Sequence, residues 1–256
     1  MSENTAKKPP IEKPSTEKLP VEKLPAKKRL AKKPPKKKPR PIENAMMHAE
    51  HAGGGPYKVL ESRFGFQKEA SFMTTGRFSK LSKKYDQHCT PTAFTNAIIT
   101  LAKRHGLEKV LEIPPEEIFE TCALIGKRTL LYWNVKLFGR FGGTSAPLTE
   151  LYLRMCLRRF GIKPDVCRGH YAGVPGTEHS LKNALIRCLQ KGHFAILTVL
   201  YHPIYGSHTV IAYGIEQLAG PEGKPVYYLK LADGWVDRPR YLPVDKLKMF
   251  LFWELA

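Results

Sequence analysis

Residues Tyr85 to Gly106 read YDQHCTPTAFTNAIITLAKRHG, and the fold is decided by how this stretch is read. Behind Cys89, apolar residues recur at Ala93, Phe94, Ala97, Ile98, Leu101 and Ala102. That is the i, i+3, i+4, i+7 rhythm of an amphipathic helix with one face in a core. Thr90 is suited to cap this helix and Pro91 to its first turn, where a missing N–H costs nothing. Gly106 is the expected stop. Cys89 then falls at a helix mouth, where free N–H groups and the helix dipole favour negative charge. A thiol placed there loses its proton more readily, and the thiolate is the reactive form. The competing reading of this stretch alone is a small buried hydrophobe at a helix start.

Outward from that helix, the chain before residue 192 is helical in pattern. Pro114 to Gly126 has proline and acids in its first turn and glycine at its end. Ser145 to Gly161 reads as a third helix capped by Ser145, and Ser180 to Lys191 as a fourth ended by Gly192. Residues 57–66 alternate loosely as an opening strand. The aromatic and glycine-rich residues 129–143 read as a loop lining a cleft. After Gly192 the period changes. Phe194 to Leu200 is a continuous apolar run of strand length, His208 to Glu216 alternates as a second strand, and Val226 to Asp233 returns as a third beyond the turn residues Gln217 to Pro225. Helices followed by an antiparallel sheet are the layout of an α+β domain.

The chain has 256 residues, enough for one core domain and an appendage. Residues 1–44 carry twelve Lys, two Arg, five Glu and nine Pro with no aromatic residue, a net of +9. Such a segment buries too little apolar surface to offset its ordering entropy, so residues 1–55 are expected to be a disordered basic tail and linker before a domain at 56–256. Of the whole-chain +19, +10 remains on residues 45–256. The tail suits a non-specific anionic partner (nucleic acid, anionic lipid or wall polymer), although no aromatic side chains interleave its lysines for stacking. The first twenty residues lack an apolar core, so no ordinary secretory signal is expected, and no apolar run is long enough to span a membrane. Five cysteines without a Cys-x-x-Cys pair suggest neither a disulfide framework nor a zinc cluster. A cytoplasmic location fits. No His/Asp/Glu grouping has metal-ligand spacing, and Gly139 to Gly143 lacks the phosphate-loop ending, so no metal or cofactor is expected.

A hairpin folded about Gly220 and Pro221 sets His208 opposite Asp233 on one face, with β-carbons about 5 Å apart. A one-residue slip would separate them. An acid beside an imidazole orients it and stabilises its charged form. A helix-start cysteine, a strand histidine and an acid are the parts of an activated-thiol site.

The order Cys89-Thr-Pro-Thr92, His208-Thr-Val-Ile-Ala-Tyr-Gly214 and Asp233-Gly234-Trp235 resembles the papain-like cysteine peptidases, and among them most the bacterial C39-like peptidases. The resemblance covers residues 85–236 in order and spacing. It implies a papain-like fold, in which the nucleophile helix packs on a C-terminal antiparallel sheet. It also implies a cysteine hydrolase cleaving amide bonds of a peptide or protein through an acyl-enzyme. Cys89 would attack, His208 would be base and then acid, and Asp233 would orient His208. Two positions depart from the family. Thr90 stands where a glycine is usual, and Lys83 stands where the oxyanion-hole glutamine is usual, which leaves Gln87, two residues before Cys89, as the candidate donor. Trp133, Trp235 and His88 are expected to line the cleft. The same triad also serves acyltransferase, amidase and transglutaminase-type chemistry, and an inactive binding module with a basic surface is a further alternative.

Overall fold

The computed structural model describes residues 58–64, 72, 78, 87–135, 141–171, 177–219, 225–235 and 239–256. Contacts divide the chain into Met1–Lys37 and Lys38–Ala256, and every described residue lies in the second unit. The basic tail, the linker and Lys83 lie outside the described residues.

The architecture is α+β. Helix α1 is Cys89–Arg104, followed by the short α2 (Glu108–Leu111) and by α3 (Pro115–Arg128). The His105 N–H donates to the Leu101 carbonyl and the Leu107 N–H to that of Ala102, with Gly106 between them at φ +61°. This left-handed closure explains why a glycine ends the helix. The start of α1 differs from expectation: the helix begins at Cys89, after His88, and no side chain caps it. The helix is also enclosed on nearly all sides, with Thr92, Thr95, Asn96 and Thr100 buried beside Phe94, Ile98 and Leu101. Thr92 and Thr95 become compatible with burial by donating to the carbonyls of His88 (2.9 Å) and Pro91 (2.8 Å), four residues back.

Helix α3 runs past Gly126, which is a packing position and not a stop. A β-carbon there would lie 2.5 Å from the Tyr132 β-carbon and 2.6 Å from the Tyr152 ring. The segment expected as a loop contains a small hairpin, β2 (Tyr132–Val135) with β3 (Phe141–Thr144). A 3-10 turn at Ala146–Leu148 then leads into α4 (Thr149–Arg159). Ser145 therefore does not cap an α-helix directly; its carbonyl accepts from Leu148 N–H and from the Thr149 hydroxyl.

The main sheet comprises β1 (Lys58–Phe64), β4 (Cys167–Tyr171), β5 (Phe194–His202), β6 (Gly206–Ala219), β7 (Pro225–Ala232), β8 (Arg240–Pro243) and β9 (Met249–Leu255). Among the described residues its order is β4-β9-β5-β6-β7-β8, with β1 paired to the far half of β6. The pairings are antiparallel. Helix α5 (Glu178–Gln190) covers one face through Leu181, Leu185 and Leu189, against Leu197, Val210 and Phe252. Helices α1, α3 and α4 cover the other, against Ile196, Ile211 and Trp253. Burial on both faces is why Phe194 to Leu200 is apolar without alternation. Each such fully buried side chain contributes about 1.5–3 kcal/mol relative to its exposed state.

The β6–β7 hairpin has a different register from the expected one. Near the turn Ala219 pairs with Pro225 and Gly214 with Lys230, while beyond Tyr213 Ala212 pairs with Leu231 and Ile211 with Ala232. Tyr213 is thus an extra residue on β6, a β-bulge. Without it, His208 and Asp233 would fall on opposite faces, because a one-residue slip inverts every side chain. With it they share a face. Continuing the register past Ala232 sets Trp235, and not Asp233, across from His208.

Candidate functional site

Cys89 is the first residue of α1, in the turn where backbone N–H groups have no helical acceptor. The helix lays this end against β6, where Thr209 presents both its N–H to the Cys89 sulfur and its hydroxyl to Thr90 (3.1 Å). Its neighbour His208 is buried, yet it lines the same cleft as Cys89. Beyond Ile211, β7 no longer pairs with β6, and this open stretch of strand is where sulfur, ring and the Asp233–Trp235 turn converge.

Burial by itself would push the Cys89 thiol up. The His208 ring, through hydrogen bonding and charge, opposes this most, with help from the Thr209 N–H and the Thr90 hydroxyl, and the thiol lies at about 7. For His208, burial would push the imidazole down. The interaction with Cys89, assisted by the Asp233 carbonyl and charge, more than offsets it and raises the ring above its ordinary value. Each group thus favours the other's ionised form, the condition for a thiolate–imidazolium pair.

Asp233 serves the histidine differently from the expected triad. His208 Nε2 lies 2.7 Å from the backbone carbonyl oxygen of Asp233. A carbonyl only accepts, so Nε2 carries the proton, and Nδ1 is the nitrogen left to face the sulfur. The Asp233 carboxylate is engaged elsewhere. Oδ1 accepts from the Trp235 N–H at 2.9 Å, and Oδ2 lies 3.6 Å from Nε of the buried Arg240. The orienting atom is the backbone oxygen: Asp233 lies just past the end of β7, in a register two residues from the expected one, and its carboxylate is taken by Trp235 and Arg240. Trp235 stacks on His208 instead, at 4.6 Å between centroids, and Tyr205 lies over the same ring at 5.8 Å.

A cleft of about 370 Å³ opens beside the sulfur, lined by Gln87, Cys89, Trp133, Ser145, Thr198 and His208 among others. Gln87 is exposed and has φ +55°, a left-handed backbone that a glutamine seldom adopts. The structure therefore brings Cys89, His208, Gln87 and Trp133 to one cleft, with Trp235 behind the histidine. His88 turns the other way: its Nδ1 is 3.3 Å from the Thr92 hydroxyl and its ring meets Phe119 edge-on. It belongs to the helical packing, since a residue just before the first helical turn projects over that turn. Thr90, standing where a glycine is usual, lines the cleft and meets the Thr209 hydroxyl on the sheet.

Other histidines find partners that hydrophobic patterning did not reveal. His202 caps the β5–β6 hairpin, its Nδ1 accepting from Ile204 N–H and Tyr205 N–H at 3.3 Å each. Glu254 on β9 bridges His193 Nδ1 (2.6 Å) and His170 Nε2 (3.3 Å). Cys156, Cys167 and Cys188 do not resemble Cys89: burial raises their thiols. Among the described residues, no group of three or more His, Cys, Asp or Glu is arranged to hold a metal, and no helix is long and apolar enough to cross a membrane. Compared with protein-family models, curated proteins and solved structures, this chain matches none of them.

Proposed function

We propose that the protein is a cysteine hydrolase with a papain-like α+β domain, cleaving amide bonds of a peptide or protein through an acyl-enzyme on Cys89. One observation carries the reading: a helix-start cysteine shares a cleft with an imidazole whose Nε2 is fixed by the Asp233 carbonyl, which leaves Nδ1 for the sulfur. In the first step the Cys89 proton moves to His208 Nδ1, and the sulfur forms a bond to the substrate carbonyl carbon. The π electrons of that carbonyl move onto its oxygen, which the Cys89 N–H and the Gln87 amide stabilise. The C–N bond then breaks as the Nδ1 proton passes to the leaving amine, giving a thioester and a free amine. Water attacks the thioester, His208 takes its proton, and the thiol is regenerated with release of a carboxylic acid. The Asp233 carbonyl holds the ring so that Nδ1 faces the sulfur throughout, the orienting task an acid performs in a triad.

An electrophilic peptidyl probe on the full chain tests the reading. The expected result is a single adduct on Cys89 that forms several-fold more slowly at neutral pH in His208→Ala. Labelling that persists in that variant at the wild-type rate would overturn it. Cleavage in ¹⁸O-labelled water adds to the test: one heavy oxygen should enter the new carboxyl group, whereas capture of the acyl group by an added amine alone would indicate acyl transfer.

A further inference from the structure

We infer that three hydroxyls, those of Thr90, Thr209 and Thr198, form a directional hydrogen-bond chain that holds the Cys89 sulfur in its charged form and turns Thr198 into an acceptor for a substrate N–H. This rests on the hydrolase reading above and adds positioning residues to it.

The chain follows from where each hydroxyl can go. Thr92 and Thr95 spend theirs on carbonyls four residues back within α1. Thr90, second in the helix, has no helical carbonyl behind it, and its hydroxyl crosses to the Thr209 hydroxyl at 3.1 Å. The Thr209 hydroxyl in turn lies 3.0 Å from that of Thr198 on the neighbouring strand β5, directly across the ladder. Thr90 and Thr209 are both buried, so these groups have each other in place of water. Thr90 adjoins Cys89 in sequence and lines the same cleft with Thr209 and Thr198, which sets its hydroxyl and the Thr209 N–H beside the sulfur, where both favour the thiolate.

A hydroxyl has one hydrogen. If the Thr90 hydrogen is given to the sulfur, the Thr90–Thr209 contact must use the Thr209 hydrogen, and the Thr209–Thr198 contact must use the Thr198 hydrogen. All three then point along the chain toward the sulfur, the direction a thiolate demands, and each dipole polarises the next. Thr198 lines the same cleft as Cys89. With its hydrogen spent on Thr209, it offers the cleft only lone pairs, which suit the backbone N–H of a bound polypeptide. Thr90 has thereby a use that a glycine could not supply.

The test is the pH dependence of the reaction of Cys89 with a small aromatic disulfide, followed on the Cys89-containing peptide. Thr90→Val keeps the side-chain shape and removes the hydroxyl. Its midpoint should rise by about one pH unit, roughly a tenfold loss of thiolate below the midpoint. Thr90→Ser should return to the wild-type midpoint, and the Thr90→Ser/Thr90→Ala pair replaces Thr90→Val if valine perturbs folding. Thr198→Val should shift the midpoint less. The double variant Thr90→Val/Thr198→Val should shift no further than Thr90→Val alone, because the chain is already cut beside the sulfur. An unmoved midpoint in folded Thr90→Val, or shifts that simply add, would overturn the inference. His208→Ala separates the two claims: if it leaves the midpoint unmoved, the hydrolase reading falls, whereas if it moves the midpoint and Thr90→Val does not, the threonine chain alone falls.

Discussion

Replacing His208 removes the largest influence that opposes burial at the Cys89 thiol, and the size of the effect follows from the site. With the thiol at about 7, half of it is ionised at neutral pH. Without the ring, burial carries it back toward the ordinary 9.0 against the remaining Thr209 N–H and Thr90 hydroxyl, and a full return sets the size of the effect. The thiolate fraction at pH 7 then falls about 50-fold, because a rise of one in the pKa changes the ratio of thiolate to thiol tenfold. A less acidic thiolate is the better nucleophile, and a rise of about two restores about six- to tenfold in exchange with a disulfide. The net loss at pH 7 is therefore about five- to eightfold, and above pH 10 the order inverts, with the variant about six- to tenfold faster. The assay is exchange of Cys89 with a small aromatic disulfide across pH 5–11, with Cys89→Ala as the blank for the other cysteines. His208→Phe, which preserves the stacking with Tyr205 and Trp235, accompanies His208→Ala so that lost packing is not mistaken for lost chemistry. Profiles that do not cross, or a variant midpoint equal to that of wild type, would refute the coupling of thiol and ring.

The backbone role of Asp233 makes Asp233→Asn informative: the midpoint should move by less than about half a pH unit, while thermal stability drops because Arg240 loses its ionic partner. Gln87→Ala should lower kcat about 10²- to 10³-fold with a smaller change in KM, measured on whichever peptide is turned over. Gly126→Ala must displace Tyr132 or Tyr152 and should cost about 1–3 kcal/mol in denaturant unfolding. Glu254 is pushed up by burial but pulled lower overall by His193 and His170, so its folded value lies below its unfolded one. The stability it contributes is present above the unfolded value near 4.5 and is lost as pH falls through the folded value. The melting temperatures of wild type and Glu254→Gln should therefore differ at pH 6 and converge as pH falls below about 4.

Much of the framework is legible in the residues because periodicity reports burial. The run from Ala93 to Ala102, the acids and proline opening α3, and the unbroken apolar run Phe194 to Leu200 each mark an element the structure contains. Strand β9 is a different case. Its FLFW run is as apolar as β5 and pairs with it along its length, but the run is shorter, is cut by Glu254 and lies beyond the last motif. Strand β4, with Cys167, Arg168, Gly169, His170 and Tyr171, has no alternation to find, and among the described residues it is the end strand of the sheet, paired to β9 alone. The site divides in the same way. The thiol at a helix start and the histidine on a strand are chemical facts about residue types, open to reading. The Tyr213 bulge is one residue of slack that no pattern marks. The pairing beyond it is still two residues from the one the turn residues suggest, and the atom orienting His208 is a backbone oxygen, which every residue possesses and no sequence can single out. The hydroxyl chain is hidden for another reason: Thr90, Thr198 and Thr209 are far apart in sequence and meet only when α1 is laid on the sheet.

The most direct measurement of the central claim is acid quenching of the full chain within milliseconds of mixing with a peptide or peptide ester library, followed by mass analysis of the Cys89 peptide. A mass gain equal to the acyl part of a cleaved substrate, present in wild type and absent in His208→Ala, is the predicted result. Cleavage that continues in Cys89→Ala, with no acyl group on any cysteine of the wild type, would contradict it.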